Sequence, residues 1–277
     1  MSDQDIKATT AANADFWDEL CGSQAAKQLG VVDSSPASLK KFDDWYFAFY
    51  PYLDYHIPFG SMKGKRVLEI GLGYGTVSQR IAESGAIYTG LDIAQGPVKM
   101  INHRLEQLHL PGKAVQGSIL EPPFEEGSFD MIVAIGCLHH TGDLALAIDR
   151  CHRLLRPAGQ LILMVYSAYS YRRFWNTPKD TLWYFARELA GYRGVIGLSS
   201  NAKRAAYDIN SSGDGAPHTD WISIRSLENL CKKFVTFSAC LENIDQEPPF
   251  VSRSRNDLLT TRWPRQLGLD IYATCTK

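Results

Sequence analysis

Glu69, Gly71, Gly73 and Gly75 fall at alternate positions in Arg66-Val-Leu-Glu-Ile-Gly-Leu-Gly-Tyr-Gly-Thr-Val77. Glycine at such positions allows φ > 0 and lets a ligand approach the backbone closely. A carboxylate just ahead of the first glycine would repel a phosphate, and it suits a ligand that carries an ammonium group. The G-x-G-x-G spacing, followed by Thr76, departs from the dinucleotide fingerprint G-x-G-x-x-G, and no Walker A lysine follows. Further along, Ala134-Ile-Gly-Cys-Leu-His-His-Thr-Gly142 ends an apolar run on paired histidines. Histidine is the side chain that gains or loses a proton near neutral pH. Cys137 between them and Gly136 reads as buried packing.

These residues need elements to position them. Val67 to Ile70 reads as a short buried strand, and a helix opens near Thr76. A glycine turn at the carboxyl end of a parallel strand, opening a helix, is where α/β sheets take nucleotide-like ligands. From Lys65 the chain alternates, with strands expected at 66–71, 87–92, 113–117, 129–135 and 159–166 and helices near 76–84, 95–108 and 142–155. Arg153-Leu-Leu-Arg-Pro-Ala-Gly159 reads as the stop of the third helix. A helix at 224–233, a strand at 234–243, a Pro-rich excursion around 247–265 and a last strand at 268–275 follow. The final two strands are expected to pair as an antiparallel hairpin at the sheet edge.

Residues 1–62 are expected to form a helical N-terminal cap on a catalytic domain over 63–277. Helical spacing runs over Asn13–Leu20 and Ser38–Tyr55, and the second stretch is crowded with aromatic residues. Those rings either seal the cap onto the sheet or line a pocket over the glycine turn, and both readings stand. The stretch 167–221, with an aromatic helix near Lys179–Leu189 and a polar loop at Asn210–Pro217, is long enough to serve as a lid or binding element.

Taken in order, the motifs resemble class I S-adenosylmethionine-dependent methyltransferases. Glu69-x-Gly71-x-Gly73-x-Gly75 is similar to motif I of that family. Asp92, ending Tyr88-Thr-Gly-Leu-Asp92, sits where the family binds both ribose hydroxyls, and a carboxylate can accept from two hydroxyls at once. A helix N-cap is the other reading of Asp92. Gly117-Ser-Ile119, Pro123-Phe124 and Ser128-Phe-Asp130 resemble the family's G-D-A…L-P-F…S-F-D, with Ser118 in place of the usual adenine-binding Asp. Arg156-Pro-Ala-Gly159 resembles its L-K-P-G-G-x-L. Phe16-Trp17, Cys21-Gly22 and Asp214-Gly-Ala-Pro-His218 resemble the type 11 grouping.

The resemblance implies a Rossmann-like, seven-stranded, mostly parallel sheet with a terminal antiparallel hairpin. It implies S-adenosylmethionine as cofactor and S-adenosylhomocysteine as product. The cofactor residues it points to are Glu69, Gly71, Gly73, Tyr74, Gly75, Asp92, Ile93, Ser118, Ile119 and Gly136. At the acceptor end the chain lacks the [DN]-P-P-[YF] motif of enzymes that methylate planar amino groups, and it lacks a Pro-Cys nucleophile. His139 or His140 is the expected base for a hydroxyl or amine, with His139 ahead. In some quinone O-methyltransferases a Glu-His pair here helps hold a metal; His139 stands at the Glu position, and no catalytic metal is expected. Tyr166, Tyr169, Arg172 and His218 are candidates for the acceptor site.

Composition bounds the partners. The net charge of −1 gives no global attraction to nucleic acid or to an anionic membrane. Six cysteines without CxxC spacing suit a reduced setting and give no sign of a metal cluster. The N-terminus is no signal peptide, so a cytoplasmic location is expected. The sequence favours a methyltransferase acting on a small-molecule metabolite. An RNA or protein methyltransferase, or a cofactor-binding enzyme with another outcome, is the alternative. The sequence leaves the oligomeric state open.

Overall fold

The computed structural model describes residues 3–20, 23–197 and 199–277. Cys21 and Gly22 lie outside the described residues. Seven strands form one sheet: β1 (Arg66–Ile70), β2 (Ile87–Asp92), β3 (Lys113–Gln116), β4 (Phe129–Ile135), β5 (Leu155–Tyr166), β6 (Thr236–Glu242) and β7 (Asp270–Thr276), in the order β3-β2-β1-β4-β5-β7-β6. β1 to β5 pair in parallel, so their carboxyl ends share one edge, and β7 runs antiparallel to both β5 and β6. Central strands such as Phe129–Ile135 are apolar on both faces because both faces carry helices. One core lies on each side of the sheet, the first around Leu68, Ile132 and Leu163, the second around Val67, Val133 and Ile162.

The helical order matches the sequence pattern, with two local differences. α1 (Asp3–Trp17), α2 (Ser23–Gln28), α3 (Pro36–Phe49) and α4 (Leu53–His56) precede the sheet. The single helix expected to run to Tyr55 therefore breaks at Tyr50-Pro51, because a proline cannot donate within a helix. α5 (Thr76–Glu83), α6 (Gln95–Gln107) and α7 (Leu144–Leu154) are the crossovers. Asp143 caps α7, accepting from the Leu146 N–H at 2.9 Å. α7 stops at Leu154, inside the expected stop, but β5 begins at once at Leu155 rather than at 159; Arg156 Nε reaches Asp130 Oδ1 at 2.5 Å, and Ala158 has φ 62°. Pairing with β4 shifts between Phe129 and Met131, as a bulge requires.

Beyond β5 come α8 (Tyr171–Asn176), α9 (Pro178–Leu189), α10 (Asn201–Ala205), α11 (Ile224–Leu230), and later α12 (Arg255–Leu259) and α13 (Trp263–Leu267). The stretch after β5 folds around buried Ala168, Tyr184 and Trp221. Among the described residues, no helix is long and apolar enough to cross a membrane.

The N-terminal helices are held by specific bonds. Arg104 of α6, 1% exposed, donates to both oxygens of Asp43 in α3 at 2.8 and 3.0 Å and to Gln79 of α5 at 2.8 Å. Thr76 donates to Asp43 Oδ1 at 2.6 Å. At the end of α1, Asp18 accepts from the Gly96 N–H at 2.6 Å, and Glu19 accepts from Ser211 at 2.9 and 2.6 Å. The N-terminal segment therefore bridges from α6 to the polar loop after β5.

Candidate active site

The turn after β1 is left-handed at three glycines, with φ of 76°, 50° and 82° at Gly71, Gly73 and Gly75. Two of them make room for protein. A Cβ on Gly71 would lie 2.5 Å from Cys137 Cβ, and one on Gly75 would lie 2.0 Å from Ile101 Cδ1. Glycine here thus lets β4's end and α6 close against the turn. Cys137 Sγ donates to the Ile70 carbonyl at 3.0 Å, and burial pushes its thiol pKa up, which is packing chemistry.

One pocket opens at this edge of the sheet. With its mouth it encloses about 1150 Å³, and Glu69, the 71–75 turn, Asp92, Ile93, Ser118, Ile119 and Gly136 all border it. Phe42 and Tyr46 from α3 and Asn13 and Trp17 from α1 form the opposite wall. The aromatic stretch therefore does both jobs: Phe42 and Tyr46 border the pocket, while Phe47, Tyr50 and Tyr52 pack against the core. Tyr74 stacks on Phe42 with ring centres 4.4 Å apart.

Both acidic residues are buried. Glu69 accepts from the Tyr88 hydroxyl at 2.8 Å, and burial raises its pKa to about 8. Asp92 accepts from the Leu72 N–H at 2.7 Å through Oδ2 and from the Ala94 N–H at 2.9 Å through Oδ1. Burial lifts its pKa to about 6, against the lowering effect of those N–H groups. Asp92 is not the cap of α6: Ala94 holds that position. Its bonds instead lock the carboxylate to the glycine turn. Ser118 Oγ accepts from the Leu120 N–H at 3.2 Å.

The histidines separate. His140 borders the pocket, and its ring lies 5.0 Å from Trp17. Its Nδ1 donates to the His218 carbonyl at 2.7 Å, and Nε2 lies 3.5 Å from Asp208 Oδ2. Asp208 accepts from the Tyr166 hydroxyl at 3.0 Å through each oxygen. Burial lowers the His140 pKa while Asp208 opposes that, and burial raises the Asp208 pKa. His139, placed first by the sequence, is fully buried and is not in the pocket wall. Its ring packs 4.1 Å from Tyr166, both its nitrogens lack hydrogen-bond partners among the described residues, and burial holds its pKa well down.

The other acceptor candidates serve the fold. Tyr169 donates to buried Glu188 at 2.8 Å, which also accepts from Ser226 at 2.8 Å, tying β5's end to α9 and α11. Arg172 pairs with Glu247 at 2.6 Å and packs over Tyr207. Neither borders the pocket, nor does Tyr166. His218 contributes its backbone carbonyl to His140, and its Nε2 lies 3.0 Å from Asp220. Sequence reasoning missed Asp208, Trp17 and Asn13. Trp17 belonged to a motif already singled out; Asp208 belonged to none.

Fold and site together define a Rossmann-like methyltransferase architecture. A family model described as a methyltransferase domain matches residues 68–163. Over 106 residues the chain is 40% identical to the ubiquinone biosynthesis O-methyltransferase of Pseudomonas aeruginosa (strain LESB58), covering 37% of this chain and 44% of that relative. The match thus spans less than half the relative's length. Among solved structures, an S-adenosylmethionine-dependent methyltransferase from Mesorhizobium loti superposes with a TM-score of 0.53 at 13% identity, covering 83% of this chain and 98% of that one. A Haemonchus contortus phosphoethanolamine N-methyltransferase, bound to S-adenosylhomocysteine, gives 0.53 at 18%, covering 83% and 52%. Residues 68–163 thus form a methyltransferase domain, set in a fold shared with solved S-adenosylmethionine-dependent methyltransferases.

The family's cofactor is S-adenosylmethionine, and the residues present fit it. A buried carboxyl pushed up to about 8 in the pocket wall is a group that a ligand ammonium would hold in its ionised form. Asp92 uses one acceptor site on each oxygen for backbone and keeps lone pairs for two hydroxyls. Leu72, Ile93, Pro97 and Ile119 offer apolar surface to a flat ring.

Proposed function

We propose that this chain transfers a methyl group from S-adenosylmethionine to a hydroxyl or amine of a small-molecule metabolite. The observation that carries the reading is one continuous pocket. It joins Glu69, the glycine turn and Asp92 to a second wall of Trp17, Phe42 and Tyr46 that ends at His140. When bound, the cofactor supplies an electrophilic methyl group on a sulfonium. Glu69 takes the ammonium, Asp92 the ribose hydroxyls, and Ser118 and Ile119 border the adenine. The wall from α1 and α3 excludes water and holds an acceptor of metabolite size; such positioning supplies most of the acceleration in an in-line displacement.

His140 is the better candidate for the proton. With its Nδ1–H committed to the His218 carbonyl, the neutral ring leaves Nε2 as its basic atom, and Asp208 stands beside it to hold the resulting charge. Nε2 is covered in this conformation, so α1 or the segment carrying Asp208 must shift for an acceptor to reach it. The match to an O-methyltransferase of ubiquinone biosynthesis favours a hydroxyl acceptor over a macromolecular one. The test is incubation of the full chain with labelled S-adenosylmethionine and fractionated metabolite extract. Label in a small product, with stoichiometric S-adenosylhomocysteine, supports the proposal. Label only in RNA or protein, or cofactor binding with no methylated product, overturns it.

A further inference from the structure

A second cluster of chemistry-bearing side chains lies outside the pocket wall, where α4 crosses the edge strand. Cys240 and Glu242 are two apart on β6, so the strand's alternation puts both on one face. His56 of α4 meets them there, its Nε2 2.9 Å from Glu242 Oε1, with both side chains under 10% exposed. Tyr272, paired with Cys240 across β7, stacks on the His56 ring at 4.4 Å and 18°. That stacking fixes the plane of the imidazole. The Sγ, imidazole nitrogen and carboxylate oxygen all lie within 4.8 Å of one another.

The cluster already attracts one cation. Arg265 of α13 donates to Cys240 Sγ at 2.6 Å, and its other terminal nitrogen sits 2.9 Å from Glu242 Oε1. The Arg265 side chain is 49% exposed, so its own charge can move into solvent, and the buried Glu242 carboxylate it leaves then calls for another cation. His56 and Glu242 have no such freedom. What remains when Arg265 swings out is a thiol, an imidazole and a carboxylate facing a common point.

We propose that His56, Cys240 and Glu242 bind a zinc-class divalent cation in exchange with the Arg265 guanidinium. One ion bridges two donors spaced up to about 4 to 4.6 Å, the sum of two metal–ligand bonds, so the cluster needs only a slight closure. A mixed sulfur, nitrogen and oxygen set selects zinc over magnesium or calcium, which prefer all-oxygen shells. Three protein ligands leave a fourth position for water. Binding fastens α4, and with it the N-terminal helices, to the sheet edge. The proposal is independent of the methyltransferase reading.

The test titrates the full-length protein with zinc against a chromophoric chelator, and separately with cobalt. One zinc per chain is expected, with Cys240→Ser or His56→Ala weakening it at least tenfold. Arg265→Ala should tighten it several-fold, because it removes the competing cation; a plain ion-pair cluster would show no zinc binding in either background. Cobalt should give a thiolate charge-transfer band in the unmutated protein, a readout that stands even where a variant fails to fold. No zinc in the wild type and Arg265→Ala, no thiolate band, or zinc binding unchanged by Cys240→Ser overturns the proposal.

Discussion

At the scale of the residue, the proposed function rests on two carboxylates and one imidazole. Asp92→Ala should weaken S-adenosylhomocysteine binding by about 1–3 kcal/mol, the cost of leaving hydroxyls without their acceptor, as read by calorimetry; unchanged affinity removes the ribose role. Glu69, with its pKa raised to about 8, is mostly protonated near pH 7 in the free protein. An ammonium ligand needs the carboxylate, so binding should expel a proton, and affinity should rise with pH up to about 8. Calorimetry in buffers of different ionisation enthalpy counts that proton, and Glu69→Gln should abolish its release. His140→Ala should lower turnover about 10²–10⁴-fold while cofactor affinity stays. Asp208 raises the His140 pKa, so Asp208→Asn should move the acid limb of the pH–rate profile to lower pH. A loss of tenfold or less with an unmoved limb would make His140 only a wall of the pocket.

Among the elements, the junction of α3, α5 and α6 is the most exposed to a single change. Arg104 is 1% exposed and relies on Asp43 for charge compensation. Asp43→Ala would strand a buried guanidinium, a situation that costs about 3–5 kcal/mol. The urea midpoint should fall accordingly, and cofactor affinity should fall with it, because α3 brings Phe42 and Tyr46 to the pocket. An unchanged midpoint would show that α3 is held by its aromatic packing alone. The same junction explains Gly75. Its absent side chain is what lets Ile101 and Arg104 of α6 approach the turn.

For the whole molecule, the buried acids set an unusual response to pH. Glu69 and Asp270 are raised to about 8 and about 7 by burial, so between pH 6.5 and 8 the folded chain holds protons that the unfolded chain has lost. Stability should therefore fall as pH rises across that window, at up to about 1.4 kcal/mol per pH unit for each group. Below 6.5 the opposite pull of His139 and His140, both lowered by burial, sets in, because the unfolded chain takes up protons that they refuse. Urea titrations at pH 6.5 and 8 check the sign, and Glu69→Gln should flatten much of the slope. A midpoint that rises with pH would contradict the burial of these acids.

The order of strands and crossover helices, the turn, Glu69 and Asp92 were all legible in the sequence. Each depends on contacts between neighbours along the chain: apolar period, glycine spacing, and a carboxylate at a strand end. The choice between His139 and His140 was not legible, since adjacent residues of one type differ only in which way the backbone turns them. Tertiary structure also supplied Asn13, which donates to the His140 carbonyl from 127 residues away, and Glu19 at Ser211, 192 away. His56 and Glu242, 186 apart, meet only because α4 crosses the sheet edge. Such pairs are set by how the helices close over the sheet, and no local period or motif records that closure.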